Sequence, residues 1–340
     1  MTLSSAPHHV FVRIPMVKLF ALVVCMVLGC GSLFPMYAEA QEKGLRRVSL
    51  LPQWIPQAQF AGYMAALEKG FYRDAGIDLE LLQGGPGAPP FEMLAAGKAT
   101  FCTCWLSSAI QERASGKKIV CLAQIIQRSS LMLVARPHIK VPEDLHGKKV
   151  GLWAGHFYLQ PMMFFRKHGV AVEVIPNYSS EALFLKRGVD AMAAMWYNEY
   201  HSILNSGINP DELTVFFLHQ SGPNFPEDGL YTIADTYEAD PQMCKDFVAA
   251  SLRGWQWAFE HEEEALDIVL KHANEAHTGS NRPHQRWMLN RMKDLILSPE
   301  QTGGMGKLNP KDYKYVGHTL KEHHLIEEIP AFEDFYQGQP

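Results

Sequence analysis

A short run near the middle of the chain gathers the side chains best suited to binding chemistry. It reads Met195-Trp-Tyr-Asn-Glu-Tyr200 and follows a stretch of small residues. Trp196 and Tyr197 offer flat rings on which an aromatic ring could stack. Asn198 can donate and accept hydrogen bonds, and Glu199 accepts them from amines. The run predicts a contact surface for a flat nitrogen heterocycle. The alternative is a helix N-terminus, at which Glu199 favours the helix dipole and the rings belong to the core.

A second group of candidates follows the first predicted strand. Trp54 lies in the loop after that strand, where its ring either faces a ligand or packs in the core. Gln57 and Gln59 begin the next helix, whose free backbone N–H groups can also meet ligand acceptors. Tyr63 lies one turn further on and either reaches the same space or is a half-buried helix residue. These four side chains are expected on one side of a binding site.

Further candidates lie at other chain corners beside predicted strands, where α/β sheets bind their ligands. The corner Gly151-Leu-Trp-Ala-Gly155 is not a Gly-x-Gly-x-x-Gly pattern and lacks the acidic partner of a dinucleotide fold, so it does not predict nucleotide binding. Ser107 is otherwise a helix cap, and Asp228 a turn cap. The candidates at these corners are Trp105, Ser107, Trp153, His156 and Asp228.

The elements that must position these residues alternate short strands with helical stretches. Such alternation is typical of parallel sheets covered by helices, so the sequence predicts an α/β fold. Strands are predicted at 48–51, 77–82, 99–104, 119–126, 130–135, 148–153, 173–175, 190–194, 213–218 and 229–234. Helices are predicted at 57–70, 91–96, 106–115, 157–168, 180–187, 241–260, 262–275, 281–297 and 309–324. Two α/β units joined by two crossings would hold a ligand in the cleft between them.

Composition and charge limit the classes of protein that fit. The chain has 340 residues, of which 47% are hydrophobic and 20% charged, as is ordinary for a globular protein with a large core. The formal net charge of −5 gives no electrostatic support to nucleic-acid binding. No Cys/His pattern has zinc-ligand spacing, so no metal and no cofactor are predicted. The cysteines after the N-terminal segment are expected to be small buried residues, although an exported chain could pair some of them.

The N-terminal segment 1–40 is typical of a secretory signal peptide. A basic flank precedes an apolar run over 19–36, and Ala38-Glu39-Ala40 matches a cleavage signal. Cleavage after Ala40 would leave an exported chain that begins at Gln41. Two alternatives are a retained membrane anchor and lipid attachment at Cys30.

Several stretches resemble, in their order along the chain, one family. They are Trp54-Ile-Pro-Gln-Ala-Gln-Phe-Ala-Gly-Tyr63, Ala66-Leu-Glu-Lys-Gly-Phe-Tyr72, Gly76-Ile-Asp-Leu79, Gly84-Gly85, Asp144-Leu-His-Gly-Lys148 and Pro226-Glu-Asp-Gly-Leu-Tyr231. Over 47–337 the chain resembles the thiamine-pyrimidine-synthase-like group of solute-binding proteins, which includes formylaminopyrimidine binders of ABC importers. The resemblance implies a type II periplasmic-binding fold that closes on its ligand by a hinge. Lobe one is expected at 47–136 and 232–340, and lobe two at 137–231.

The resemblance also implies a function. We expect a monomer that delivers a small aromatic or heteroaromatic nutrient, such as a thiamine pyrimidine precursor, to a permease and an ATPase at the inner membrane. In pyrimidine-binding relatives a carboxylate and stacked rings hold the ligand, so Glu199 is the expected principal polar contact. Binding of sulfonates or riboflavin is an alternative, and so is a sensor subunit that docks on a membrane receptor.

The same group includes a fungal-type enzyme that makes the thiamine pyrimidine, and this sequence departs from the enzyme's pattern. The enzyme uses a lysine and a histidine within one turn of an element that matches 102–115. Cys104 and Ser108 stand at those positions here, and the enzyme's cysteine-rich run has no counterpart. The sequence therefore favours a binding protein without catalytic residues.

Overall fold

The computed structural model describes residues 44–177, 180–221, 224–298 and 304–338, without the side chain of His156. The predicted signal peptide, its cleavage site and Cys30 lie outside the described residues. Within the described ranges, no helix is both long enough and apolar enough to cross a bilayer.

The described chain alternates strands and helices, as predicted. The strands β1 to β10 are Arg46–Leu51, Ile77–Leu81, Phe101–Trp105, Ile119–Gln124, Leu131–Ala135, Lys149–Leu152, Glu173–Pro176, Ala191–Met195, Thr214–Phe217 and Asp228–Ile233. The helices α1 to α13 are Ala61–Glu68, Phe71–Asp74, Pro90–Ala95, Leu106–Ala114, Leu159–Lys167, Ala182–Leu185, Glu199–Asn205, Ala234–Ala239, Pro241–Glu260, Glu262–Glu275, Arg282–Ile296, Pro310–Glu322 and Phe332–Phe335. Short 3₁₀ turns are Ala58–Phe60, Pro142–Leu145, Gly155–Tyr158, Pro210–Glu212 and Leu218–Gln220.

The strands form two five-stranded mixed sheets. The first has the order β2-β1-β3-β10-β4, in which β1 is parallel to β2 and β3, and β10 is antiparallel to both of its neighbours. The second has the order β7-β6-β8-β5-β9, with β5 as its antiparallel strand. Each sheet with its helices is one lobe, and the two lobes together give the type II periplasmic-binding fold.

Residue patterns explain where several elements lie. Strand β2 alternates buried Ile77 and Leu79 with exposed Asp78 and Glu80, as an edge strand with one solvated face requires. Helix α9 begins at the predicted Asp240-Pro241 pair, where the Asp240 carboxylate accepts from the backbone N–H of Met243 at 2.8 Å. The predicted helices 241–260 and 262–275 are confirmed at those bounds. Helix α7 was one of the two alternatives for the run at Glu199, whereas helices α2, α8 and α13 were not predicted from the sequence.

Sheet membership differs from the expected lobe ranges at two strands. Strand β5 belongs to the second sheet although it precedes the expected boundary at 136, because it pairs with β8 and β9. Strand β10 belongs wholly to the first sheet although 228–231 was expected in lobe two, because it inserts between β3 and β4. The two crossings between the lobes therefore lie earlier in the chain than the residue patterns suggested.

The cysteines of the described chain are free and buried. They are Cys102, Cys104, Cys121 and Cys244. This confirms the expectation of small buried residues. Burial raises the pKa of the Cys102 thiol well above its ordinary value, so this thiol is held in its neutral form.

Helices α1 and α9 pack so closely that their contact admits only glycine. A Cβ atom on Gly254 would lie 2.1 Å from the carbonyl oxygen of Gly62 and 2.6 Å from the Cβ of Ala66. A Cβ on Gly62 would lie 2.2 Å from the ring of Trp255. The glycines therefore set the distance between the two helices of lobe one.

We expect Gly254→Ala to lower the free energy of unfolding by about 1–3 kcal/mol, because the added methyl group has no space. Alanine otherwise stabilises a helix by about 1 kcal/mol relative to glycine, so a net loss reports the helix contact. Chemical denaturation measures the effect. Gly87→Ala is the matched control, since a Cβ at Gly87 meets nothing within 4 Å. Equal stability of the Gly254→Ala variant and the wild type would contradict the packing argument.

Candidate ligand-binding site

A cavity of about 310 Å³ lies between the two lobes. It opens where strands of both sheets end, since Trp105 ends β3, Met195 ends β8, and Asn177 directly follows β7. The carboxyl ends of such strands are where α/β folds bind ligands. Lobe one lines the cavity with Gln53, Trp54, Gln57, Gln59 and Trp105. Lobe two lines it with Trp153, Ala154, Phe157, Asn177, Met195, Tyr197, Asn198 and Glu199.

Aromatic rings form much of the cavity wall and meet across it. The ring of Trp105 in lobe one packs edge-on against Phe157 in lobe two, with centroids 4.8 Å apart. Phe157 also packs edge-on against Trp153, at 5.6 Å. Trp54 and Trp153 are half-buried and keep ring surface open to the cavity. The wall therefore offers faces on which a planar ligand can stack.

A chain of amides on the lobe-one side is held by the carboxylate of Asp228. The Nε2 of Gln59 donates to Oδ2 of Asp228 at 2.9 Å, and the Nε2 of Gln53 donates to Oδ1. The Nε2 of Gln57 donates to Oε1 of Gln59 at 2.7 Å. Asp228 accepts these bonds from behind the glutamines and does not itself line the cavity. By accepting from their amide nitrogens, Asp228 fixes the orientation of the Gln53 and Gln59 side chains at the cavity wall.

Glu199 lines the lobe-two side and is oriented by its own helix start. Its Oε2 accepts from the backbone N–H of Met195 at 2.9 Å, and its Oε1 accepts from the Nδ2 of Asn198 at 2.9 Å. Glu199 is the first residue of α7, so it is both a helix N-terminal acid and a cavity residue. The two alternatives drawn from the sequence, a helix N-terminal acid and a residue of the site, therefore both apply to Glu199.

Three desolvated carboxyl groups surround the base of the cleft. Burial raises the pKa of Asp228 to about 7 against the lowering by its bonds from Gln59 and Gln53. Burial likewise raises the pKa of Glu199 to about 7 and that of Glu227 to about 8. Glu227 accepts from the backbone N–H and the hydroxyl of Ser130, at 2.5 and 2.9 Å. No lysine or arginine lines the cavity among the described side chains, so its field favours amines and cations over anions.

Four of the residues predicted for the site do not line the cavity. Trp196 is one position from Met195 and Tyr197, and successive residues at a strand end point to opposite sides. Its ring packs against Phe217 at 5.5 Å, away from the opening. Tyr63 points into lobe one, where it packs edge-on against Trp255. The other two are Ser107, which is buried at the start of α4, and Asp228.

The other predicted residues line the cavity, except His156, whose side chain the structure does not describe. Trp54, Gln57, Gln59, Trp105, Trp153, Tyr197, Asn198 and Glu199 all line it. His156 lies in the 3₁₀ turn Gly155–Tyr158, and its side chain is outside the described part of the structure.

Sequence reasoning missed several lining residues. Asn177 lies two residues after the predicted strand 173–175, so the rule that located Trp54 after its strand would have located it too. Gln53 lies one residue before Trp54 and was not among the predicted site residues. Phe157 was placed inside a helix, whereas a 3₁₀ turn directs its ring at the cavity. Ala154 and Met195 carry no polar signal in the sequence.

Two hinged lobes around one cleft define the class of periplasmic binding proteins. The model of the family described as NMT1/THI5 like matches residues 57–265, which is more than half of the chain. The chain belongs to this family.

Known proteins of similar sequence and fold bind different small molecules. The chain is 21% identical to the formylaminopyrimidine-binding protein of Halalkalibacterium halodurans over 88% of this chain and 92% of that one. It is 22% identical to the riboflavin-binding protein RibY of Chloroflexus aurantiacus, over 78% and 80% of the two chains. The crystal structure of the aliphatic sulphonate binding protein SsuA of Escherichia coli superposes with a TM-score of 0.63 at 16% identity, covering 84% of this chain and 94% of that one.

The buried carboxyl groups predict a fall in stability as the pH rises. A carboxyl group whose pKa is higher in the folded than in the unfolded chain binds extra protons on folding, and the stabilisation is lost as the pH rises through the folded value. For Glu227 this window runs from its ordinary value up to about 8. We expect Glu227→Gln to reduce the slope of unfolding free energy against pH by about 1.4 kcal/mol per pH unit within that window.

Chemical denaturation between about pH 5 and pH 8 tests this, because the window lies between the unfolded and folded pKa values. Glu327→Gln is the control, since Glu327 is exposed. A Glu227→Gln slope equal to that of the wild type would show that Glu227 is charged in the folded protein.

Proposed function

We propose that this protein is a secreted solute-binding protein that holds a small amino-substituted heteroaromatic molecule, such as a thiamine pyrimidine precursor, between its lobes. The observation that carries the proposal is the cavity wall, which combines open ring faces with amide and carboxyl groups and no described cationic side chain. Rings stack on the tryptophans, and ring nitrogens and exocyclic amines pair with Glu199 and the oriented glutamines.

The size and charge of the cavity separate this ligand class from the alternatives. A volume of about 310 Å³ is at the lower end of small-molecule pockets, which favours one ring over the fused three-ring system of riboflavin. A sulfonate needs cationic or N–H donors to replace its water, whereas three carboxyl groups lie near this cleft. The formylaminopyrimidine-binding relative, which matches this chain nearly end to end, supports the same ligand class.

Delivery to an ABC importer is the second part of the proposal. A permease and an ATPase at the inner membrane would take the ligand from the closed lobes, as expected from the predicted signal peptide and from the type II fold. We propose that the mature chain begins at Gln41, which mass spectrometry of the exported protein would test. Binding without catalysis is supported by Cys104 and Ser108, which stand where the related synthase carries its lysine and histidine.

At about pH 8, where the Glu199 carboxyl is above its pKa of about 7 and charged, Glu199→Gln should weaken binding of hydroxymethyl aminopyrimidine about 10-fold or more. The reason is that a hydrogen bond to a charged group contributes about 1.5–3 kcal/mol. Isothermal calorimetry measures the loss, with the exposed Glu327→Gln variant as the control. Tight binding of an alkanesulfonate without binding of any heterocycle would end the proposal.

Trp153→Leu should weaken the same binding about 3- to 10-fold, because leucine keeps apolar area but offers no ring face for stacking. Trp257→Leu is the matched control, since Trp257 packs on His261 and Lys69 at the outside of lobe one. Calorimetry at one pH compares the two variants. A larger loss in Trp257→Leu than in Trp153→Leu would contradict the placement of the ligand.

A further inference from the structure

A group of side chains at the rim of the cleft joins the two lobes without lining the cavity. Helix α11 belongs to lobe one, where the Oε1 of Gln285 accepts from the backbone N–H of Ala58 at 2.6 Å. Helix α7 follows β8 of the second sheet and belongs to lobe two. The two helices face each other through His284 and Trp287 on α11 and His201 on α7.

Three hydrogen bonds cross between the lobes at this rim. The Nε2 of His284 lies 2.9 Å from Oδ1 of Asn198. The Nδ1 atoms of His284 and His201 lie 3.0 Å apart. The Nε1 of Trp287 donates to the carbonyl oxygen of Trp196 at 2.9 Å. The ring of His201 also stacks on Trp287, with centroids 4.8 Å apart and planes 11° from parallel.

These contacts limit the protons that the two histidines can carry while the lobes are closed. The amide oxygen Oδ1 of Asn198 only accepts, so the Nε2 of His284 carries a proton and donates. One proton fits between the two Nδ1 atoms, because one of them must donate and the other must accept. Full protonation of both rings would place two N–H groups against each other at 3.0 Å and break the contact.

We propose that His284, His201 and Trp287 form a latch that holds the lobes closed, and that acidification opens the latch and releases the ligand. The latch reaches the binding site through Asn198, which accepts from His284 and donates to Glu199. His284 is thus a positioning residue for Glu199 that acts only when the lobes meet. The inference rests on the hinged closure of the fold and is independent of which ligand binds.

The direction of the pH effect follows from the two states of His284. Burial, and then the neighbouring His201, lower the pKa of His284 to about 4 in the closed form. In an open form the ring returns to about 6.5, so opening takes up a proton in the interval between. The linkage predicts that His284 alone lowers the equilibrium constant for closing about 30-fold between about pH 7.5 and about pH 5.

Other titratable and charged groups lie near the latch and contribute to its electrostatic environment. On α7 they are Glu199, reached through Asn198, and Tyr200, whose ring packs against Trp287 at 6.1 Å. On α11, Arg291 lies over the rings of Trp196 and Trp287 and pairs with Asp294 at 2.8 Å. The Nδ2 of Asn205 lies 3.1 Å from the Nδ1 of His201 and donates to it when that nitrogen is unprotonated. Glu199 binds its proton more tightly in the closed form, so its contribution has the opposite sign to that of His284.

The test compares the full mature chain with His284→Gln, because a glutamine amide still donates to Asn198 but does not titrate. Hydroxymethyl aminopyrimidine is the probe, and calorimetry measures its affinity at about pH 7.5 and about pH 5, on either side of the ordinary histidine value. The ratio of the wild type to His284→Gln removes the titration of the probe and of Glu199, which both proteins share. We expect this ratio to fall about 30-fold on acidification. His318→Gln, an exposed control on α12, should follow the wild type.

A second measurement does not depend on the probe. Spin labels at Glu80→Cys and Glu173→Cys, exposed sites on the edge strands of the two sheets, report the distance between the lobes. The distance should lengthen at low pH in the wild type but not in His284→Gln, and His284→Ala should be open at both pH values. The same pH dependence in His284→Gln and the wild type would overturn the latch. Failure of the probe to bind would reject the aminopyrimidine proposal and leave the distances to decide the latch.

Discussion

The return of strand β10 into the first sheet is the constraint on which the binding cleft depends. Because β10 inserts antiparallel between β3 and β4, the chain must cross back from lobe two immediately before it. That crossing places Glu227 and Asp228 under the cleft, where the backbone carbonyl of Asp228 accepts from Ile125 and Ile126 of the outgoing crossing. The two crossings are thus tied side by side where the chain passes between the lobes.

Burial of acids at this point has consequences for both folding and binding. Each carboxyl group loses its water and is compensated by neutral donors, the hydroxyl and N–H of Ser130 for Glu227 and the amides of Gln53 and Gln59 for Asp228. Neutral donors compensate a buried charge less completely than a cation does, which is why the pKa values rise. Among the described side chains, no lysine or arginine lines the cavity to offset these acids.

The closed arrangement brings together groups that are far apart in sequence. Trp105 meets Phe157 across the cleft, and His284 meets Asn198 at its rim. Both contacts join one lobe to the other, so both depend on closure. The rings form the interior wall of the cavity, and the histidines lie at its outer rim.

Much of the fold was predictable from local patterns. Alternation, caps and turns located most strands and the long helices, since these signals are carried within a few residues, as at Asp240-Pro241 and in the Ile77–Leu81 strand. Eight of the candidate residues line the cavity, because the segments that leave the carboxyl ends of parallel strands lie at the edge where ligands bind.

Only the tertiary structure decided the rest. The choice between Trp196 and Tyr197 turns on which side of a strand end faces the opening, and the sequence carries the same aromatic signal at both. From its position beside a predicted strand, Asp228 was expected to contact the ligand. The pairing of β10 with β3 and β4 instead places it behind Gln53 and Gln59, which it orients. The sequence by itself determined which segments form strands and helices and that aromatic rings stand at their ends. The pairing of distant strands determined which of those rings face one another, because that depends on register and closure, which no local pattern encodes.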